Sequence, residues 1–169
     1  MIARQAIGDA LARYAHGVDR CDPEVFGSAF WPDARIDYGD LFAGTPAQFI
    51  EIVFPRLRAM RATMHFLGNV LIEFQSQAEA RSEAYVIGFH DHDPPPPEKP
   101  FVRVLAGRYL DRFVLRQGAW RIADRVFVLD RNENAPCSAI WLEPPYSLLN
   151  RVGRRTPDDA WDQDLPAGR

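Results

Sequence analysis

The side chains that transfer protons or attack carbon near neutral pH are few in this chain. There are four histidines, His16, His65, His90 and His92. An imidazole with an ordinary pKa near ~6.5 is mostly neutral yet basic at pH 7, which suits proton abstraction. His65 opens a run rich in branched and aromatic residues. Strict alternation groups it with Leu67, Asn69, Leu71 and Glu73, while Phe66, Val70, Ile72 and Phe74 make the more apolar face. A bulge at Gly68 would switch that parity. A lone strand histidine is ordinarily a satisfied core or edge residue. The run His90-Asp91-His92-Asp93 invites a metal, but alternate strand residues point to opposite faces and no other ligand spacing accompanies it, so no metal is expected. His16 falls on the solvent side of a helix. Lys99 is the only lysine and lies among prolines, which leaves little room for Schiff-base chemistry. Cys21 and Cys137 form no CxxC pattern and read as inert thiols. Arg125 shares its face with Ala123, Phe127 and Leu129. A charge on such a face needs a ligand or a partner such as Asp111, Asp124 or Asp130. Tyr14 sits on an apolar stripe and Tyr38 shares a strand face with Ile36; either could be core with its hydroxyl satisfied. Asp19 could cap a turn or pair with Arg20.

The elements that must position these groups belong to one domain. A chain of 169 residues with 47% hydrophobic content is neither disordered nor fibrous. A net charge of −3 without a basic cluster disfavours nucleic acid. No apolar run reaches the ~18 residues of a membrane span, and no basic-plus-apolar leader is seen. A cytoplasmic protein with no cofactor motif is the expectation.

The spacing of Ala3, Ile7, Leu11, Tyr14 and Val18 predicts a helix over 2–18, with Gly17 weakening its last turn. Asp22-Pro23-Glu24 predicts a second helix start, and Trp31-Pro32 its end. Ala34–Tyr38 alternates as a strand. Thr45-Pro46-Ala47-Gln48 is a capping box opening a third helix, which Pro55 should kink or split. Thr63–Phe74, Ala80–His90, Val102–Leu115 and Ala119–Asp130 then read as four long strands. Turns fall at 75–79 and 116–118, and His92–Pro100 with its four consecutive prolines reads as a loop. Consecutive strands joined by short turns pair antiparallel. The expected fold is α+β: a strongly curved, mainly antiparallel sheet wrapped as a cone-shaped barrel around three N-terminal helices, with a cavity for a small apolar ligand. The domain should span 1–135. Residues 136–169 read as a tail, its apolar part docking on the barrel or a neighbouring subunit.

The run Gly107-Arg108-Tyr109-Leu110-Asp111-Arg112-Phe113 and the run from Gly118 through Trp120 to Arg125 resemble the SnoaL-like branch of the nuclear transport factor 2-like superfamily. The resemblance covers about residues 2 to 141. This block marks the fold, since catalytic members share it with the small subunits of ring-hydroxylating dioxygenases. Two further segments, Tyr14-Ala15-His16-Gly17-Val18-Asp19 and Thr63-Met64-His65-Phe66-Leu67-Gly68-Asn69, resemble the group of scytalone dehydratase, bile-acid dehydratase and hexachlorocyclohexane dehydrochlorinase. The resemblance implies a proton-abstracting dyad of His65 and Asp19, with Tyr14, Tyr38 and Arg125 near the substrate. The proline-rich loop and the C-terminal tail depart from the group.

What the resemblance implies is a cofactor-independent lyase acting on a hydrophobic ring compound. His65 takes the proton, a carboxylate fixes its tautomer, and phenols and Arg125 stabilise developing negative charge. Phe66, Phe89, Tyr109, Phe127 and Trp141 are candidate substrate contacts. On an ideal helix Tyr14 and Asp19 stand about 140° apart, so they converge only if the chain turns after Gly17. The competing readings are an isomerase or polyketide-type cyclase on the same scaffold, and a non-catalytic dioxygenase small subunit or ligand carrier. The resemblance also implies a homo-oligomer, a trimer by preference, formed through the outer face of the sheet.

Overall fold

The computed structural model describes residues 2–140 and 143–149. The elements run α1 (Ile2–Arg20), α2 (Pro23–Ser28), β1 (Phe30–Asp37), β2 (Ala43–Gly44), α3 (Pro46–Ala59), β3 (Ala62–Phe74), β4 (Glu79–His92), β5 (Phe101–Arg116) and β6 (Ala119–Pro136). The strands form one curved, open six-stranded sheet in the order β2-β1-β6-β5-β4-β3. Its long strands pair antiparallel, and β1 pairs parallel to β6. The helices fill the concave side, which is the cone-shaped α+β arrangement expected.

Helix α1 buries Ile7, Ala10, Leu11, Tyr14, Gly17 and Val18 on one stripe. It continues to Arg20 instead of weakening at Gly17. A Cβ on Gly17 would lie 2.4 Å from the backbone nitrogen of Phe26, so glycine is what lets α2 pack on α1. The helix closes with the Asp22 N–H on the Gly17 carbonyl at 2.8 Å and the Cys21 N–H on that of Val18 at 3.2 Å, with Cys21 at a φ of 51°. This is a Schellman cap, and it fixes Asp19 in the final helical turn.

Helix α2 ends at Ser28, earlier than Trp31-Pro32 predicts. Phe30 is already in β1, and the register of β1 on β6 shifts between Phe30 and Arg35. Pro32, which has no N–H to give a ladder, falls in that irregular stretch. Helix α3 is capped as predicted, the Thr45 hydroxyl accepting from the Gln48 N–H and Gln48 reaching back to the Thr45 N–H at 2.9 Å. It runs through Pro55 without splitting. Pro55 and Glu51 are both exposed, so the carbonyl freed by the missing N–H faces water. Phe26 joins α2 to α3, its ring centroid 4.9 Å from that of Phe49 and 5.3 Å from that of Phe54.

Strand β6 outruns its predicted end at Asp130 by six residues, to Pro136. Its polar end lacks hydrophobic alternation because both faces are exposed there; the ladder to β5, from Leu105↔Asn132 to Phe101↔Pro136, holds it. Of the expected tail, the described apolar side chains Ile140, Tyr146, Leu148 and Leu149 are exposed in the single chain. Trp141 lies outside the described residues.

Candidate active site

The concave side of the sheet holds a cavity of about 170 Å³ under α1 and α3. An apolar cavity of about 150 Å³ accepts a benzene ring, so this one holds a single ring with its substituents reaching the mouth. Tyr14, Tyr38, Tyr109, Phe127 and His65 line one part of it, and α3 contributes Val53, Leu57 and Met60.

His65 reaches the cavity because β3 carries the bulge its sequence allows. The register to β4 shifts between Gly68 and Leu71, and Asn69 adopts a φ of 49°. His65 and Leu67 lean inward before the bulge and Ile72 after it, so the parity of the strand switches. Asp19 meets His65 from the end of α1. One carboxylate oxygen lies 2.7 Å from Nδ1, and the other accepts the backbone N–H of His65 at 2.8 Å. Ring and carboxylate are both largely shielded, with side chains 7% and 16% exposed. With Nδ1 bonded to the carboxylate, Nε2 is the ring nitrogen left for a group in the cavity that His65 lines. Asp19 stands behind the ring and not on the cavity wall. Tyr14 and Asp19 thus do not converge: the helix runs on between them, and each serves a different part of the site.

The space for the imidazole is made by Gly88, the β4 residue opposite His65. A Cβ there would sit 3.2 Å from both Cδ2 and Nε2 of His65 and 3.0 Å from Cε1 of His90. Gly88→Ala therefore displaces the reactive edge of the ring by a few tenths of an ångström. Since a misplacement of about 1 Å can cost 10²-fold, a loss of about tenfold in kcat is expected, with the melting temperature little changed. Steady-state kinetics beside a thermal melt checks this.

At the far wall, the hydroxyl of Tyr14 lies 2.8 Å from that of Tyr38 and 2.9 Å from that of Tyr109. Burial raises all three well above the ordinary tyrosine value, so they stand as neutral phenols. Tyr38 also interacts by hydrogen bonding with Tyr109 and Arg125, so the three phenols form one buried hydroxyl cluster on the cavity wall. Sequence reading places Tyr109 only among apolar contacts; its inward parity with Asp111 and Phe113 was the available signal for a polar role.

Arg125 does not touch the cavity. It is 1% exposed and forms a two-pronged ion pair with Asp111, Nε and Nη2 each 2.7 Å from a carboxylate oxygen. Its guanidinium carbon lies 4.0 Å from the ring centroid of Tyr14 and 4.1 Å from that of Tyr109. Of the two readings open for Arg125, a ligand or a carboxylate partner, the structure shows the partner, Asp111. Cross-strand pairing of Asp111 with Arg125 holds the cation behind the phenols, where its field acts through them. Phe66 and Phe89 are corrected: they are 65% and 36% exposed on the convex face, because each follows or precedes an inward histidine by one residue. Tyr109 and Phe127 do line the cavity.

His90 comes within the site unforeseen, its ring 5.2 Å from that of His65 and edge-on to it. Burial first, and the neighbouring His65 second, push its pKa down from 6.5 to about 4. The unfolded chain takes up this proton near pH 6.5, whereas the folded chain resists until about 4. Stability is therefore lost as pH falls through that window, by about 3 kcal/mol from this group. His90→Gln should flatten the acid limb of a urea-midpoint profile between those values; an unchanged limb would show that another group sets it. Among the described residues no three His, Cys, Asp or Glu side chains gather as a metal site. Asp93 turns instead to an ion pair with Arg61.

A curved sheet and helices enclosing an apolar hollow, with an imidazole backed by a carboxylate in its wall, define a nuclear transport factor 2-like α+β fold. The chain belongs to the SnoaL-like domain family, whose model matches residues 1–126. Among solved structures it is similar to a candidate scytalone dehydratase from Novosphingobium aromaticivorans, at 23% identity and a TM-score of 0.69 over 82% of this chain and 91% of that one. It is also similar to a type 2 hexachlorocyclohexane dehydrochlorinase, at 20% identity and a TM-score of 0.70 over 85% and 95%. A third neighbour is a candidate aromatic ring hydroxylase from Novosphingobium aromaticivorans, at 23% identity and a TM-score of 0.65 over 79% and 92%. At these identities the likeness establishes the fold. No curated protein sequence matches the chain. No helix among the described residues is long and apolar enough to cross a membrane.

Proposed function

We propose that this protein is a cofactor-independent lyase that eliminates water, or another small acid HX, from a hydrophobic ring-containing molecule. The observation that carries the reading is the doubly anchored His65–Asp19 pair beside a ring-sized cavity. Nε2 of His65 takes a proton from a carbon, and the C–H electron pair becomes the new C=C bond. The leaving group departs with the electron pair of the bond that held it, a phenol O–H of the tyrosine cluster stabilises it by hydrogen bonding, and it takes up a proton from solvent. Nδ1–H stays on Asp19, whose negative charge, added to the negative end of α1, balances the imidazolium that forms. His65 then releases its proton to solvent. The names of two neighbours, a dehydratase and a dehydrochlorinase, are consistent with this class of reaction.

The test is product mass on small cyclic substrates with a leaving group β to an acidic C–H. Loss of 18 Da, or of HX, supports the lyase; turnover without mass change assigns the scaffold to an isomerase or cyclase instead. We further propose that the chain works in the cytoplasm as a homo-oligomer, with the convex sheet face as its contact. Met64, Phe66, Tyr85, Ile87 and Phe89 are exposed there together. Sedimentation equilibrium on the full chain reads the assembly directly; a monomer at micromolar concentration would set this part aside.

A further inference from the structure

The outer end of the cavity is unlike the rest of it. Strand β4 turns Gly88, His90 and His92 inward in succession, and Arg103 of β5 stands opposite His90 in the ladder. From the other side α3 brings Arg56, one turn from Val53 and next to Leu57. A polar strip therefore runs outward from His65 through His90 to His92 and Arg103, facing Arg56 across the mouth.

Arg56, in α3, and Arg103, in β5, differ from four other arginines of the long strands. Arg108, Arg112, Arg116 and Arg125 each have a carboxylate, in Asp130, Asp124, Asp33 and Asp111 respectively. Among the described residues neither Arg56 nor Arg103 has one. Arg103 gives Nε to Asn134 at 3.1 Å and lies 5.7 Å over the ring of Phe101, which holds the side chain but leaves its charge unmatched. Nδ1 of His90 and Nε2 of His92 are buried in the same wall without a hydrogen-bond partner. Two guanidinium groups without a carboxylate, both lining one cavity, define a site for negative oxygen.

We propose that the mouth of the cavity binds an anionic oxygen group, a carboxylate or a phosphate ester, carried on an arm of the substrate. Its ring lies deeper, against His65 and the tyrosines. The inference rests on the cavity being the substrate site, as argued above, but not on the reaction performed there. The size of the hollow agrees: with room for one ring, anything longer must end at Arg56 and Arg103.

The experiment is calorimetric titration with 3-phenylpropanoate, 2-phenylethyl phosphate and the neutral 3-phenylpropanamide. The proteins are the wild type, Arg56→Gln/Arg103→Gln, and His65→Ala. Wild type should bind at least one anion about tenfold more tightly than the amide, and whichever anion binds more tightly identifies the acid. In the double arginine variant the preference should fall to within about twofold while amide binding persists, which shows that the cavity is intact. His65→Ala should keep the preference, so a failure of the lyase reading leaves this result legible. The proposal is overturned if neither anion outbinds the amide, or if the preference survives loss of both arginines.

Discussion

His65→Ala should lower kcat for the elimination by about 10³-fold while leaving the fold and the cavity in place. The ring is the only base on the described cavity wall that is backed by a carboxylate, and after truncation Asp19 keeps the backbone N–H of residue 65 as a partner. Asp19→Asn should cost about 10²–10⁴-fold by a different route. Asp19 uses one oxygen for the His65 backbone N–H and the other for Nδ1. An asparagine keeps its carbonyl on the backbone N–H and turns its NH₂ toward Nδ1. Nδ1 must then accept, the ring proton moves to Nε2, and the cavity meets a donor in place of a base. The two variants thus fail for separate reasons that kinetics and thermal melts distinguish. Wild-type turnover by folded Asp19→Asn would exclude the dyad mechanism, and wild-type turnover by His65→Ala would exclude His65 as the base.

The sequence carries the scaffold because its signals are local. The stripe of α1, the box at Thr45 and the alternation of the long strands each follow from periodicity within a dozen residues. Much of the site is not local. That His65 faces inward depends on a bulge, which Gly68 allows but does not dictate. That Gly88 is needed follows only from the β3–β4 register, which places it opposite the imidazole. Arg125 shows the same limit. Its apolar parity reveals a buried charge, and the cross-strand register decides that Asp111, rather than a ligand, neutralises it. Aromatic character makes Phe66 and Phe89 candidates for the site, yet period-two alternation next to His65 and His90 sends them to the other face. Residue type gives the chemistry available; register decides which copies of it meet.

The largest effect on stability should come from Asp111→Ala. Both members of the Arg125–Asp111 pair have fully buried side chains, and the pair is closed by two bonds of 2.7 Å. Removing the carboxylate leaves a guanidinium that stays charged at any accessible pH, with the rings of Tyr14, Tyr109 and Phe30 and the Tyr38 hydroxyl around it but no counter-charge. Stranding one partner of such a pair costs about 3–5 kcal/mol, a large share of the 5–15 kcal/mol that typically holds a domain together. If Asp111→Ala does not fold, Asp111→Leu/Arg125→Met still tests the idea, because exchanging both charges for apolar groups of similar size is often neutral or stabilising. Urea titrations should place the double variant near wild type and Asp111→Ala far below it. Equal midpoints for all three would mean that the pair is solvated in solution. The double variant also isolates what the cation does for chemistry. Its tyrosines keep their hydroxyl chain but lose the positive charge behind it, so a leaving group is stabilised less well. About a tenfold fall in kcat with KM unchanged is the expected signature of a charge that acts only as the bond breaks.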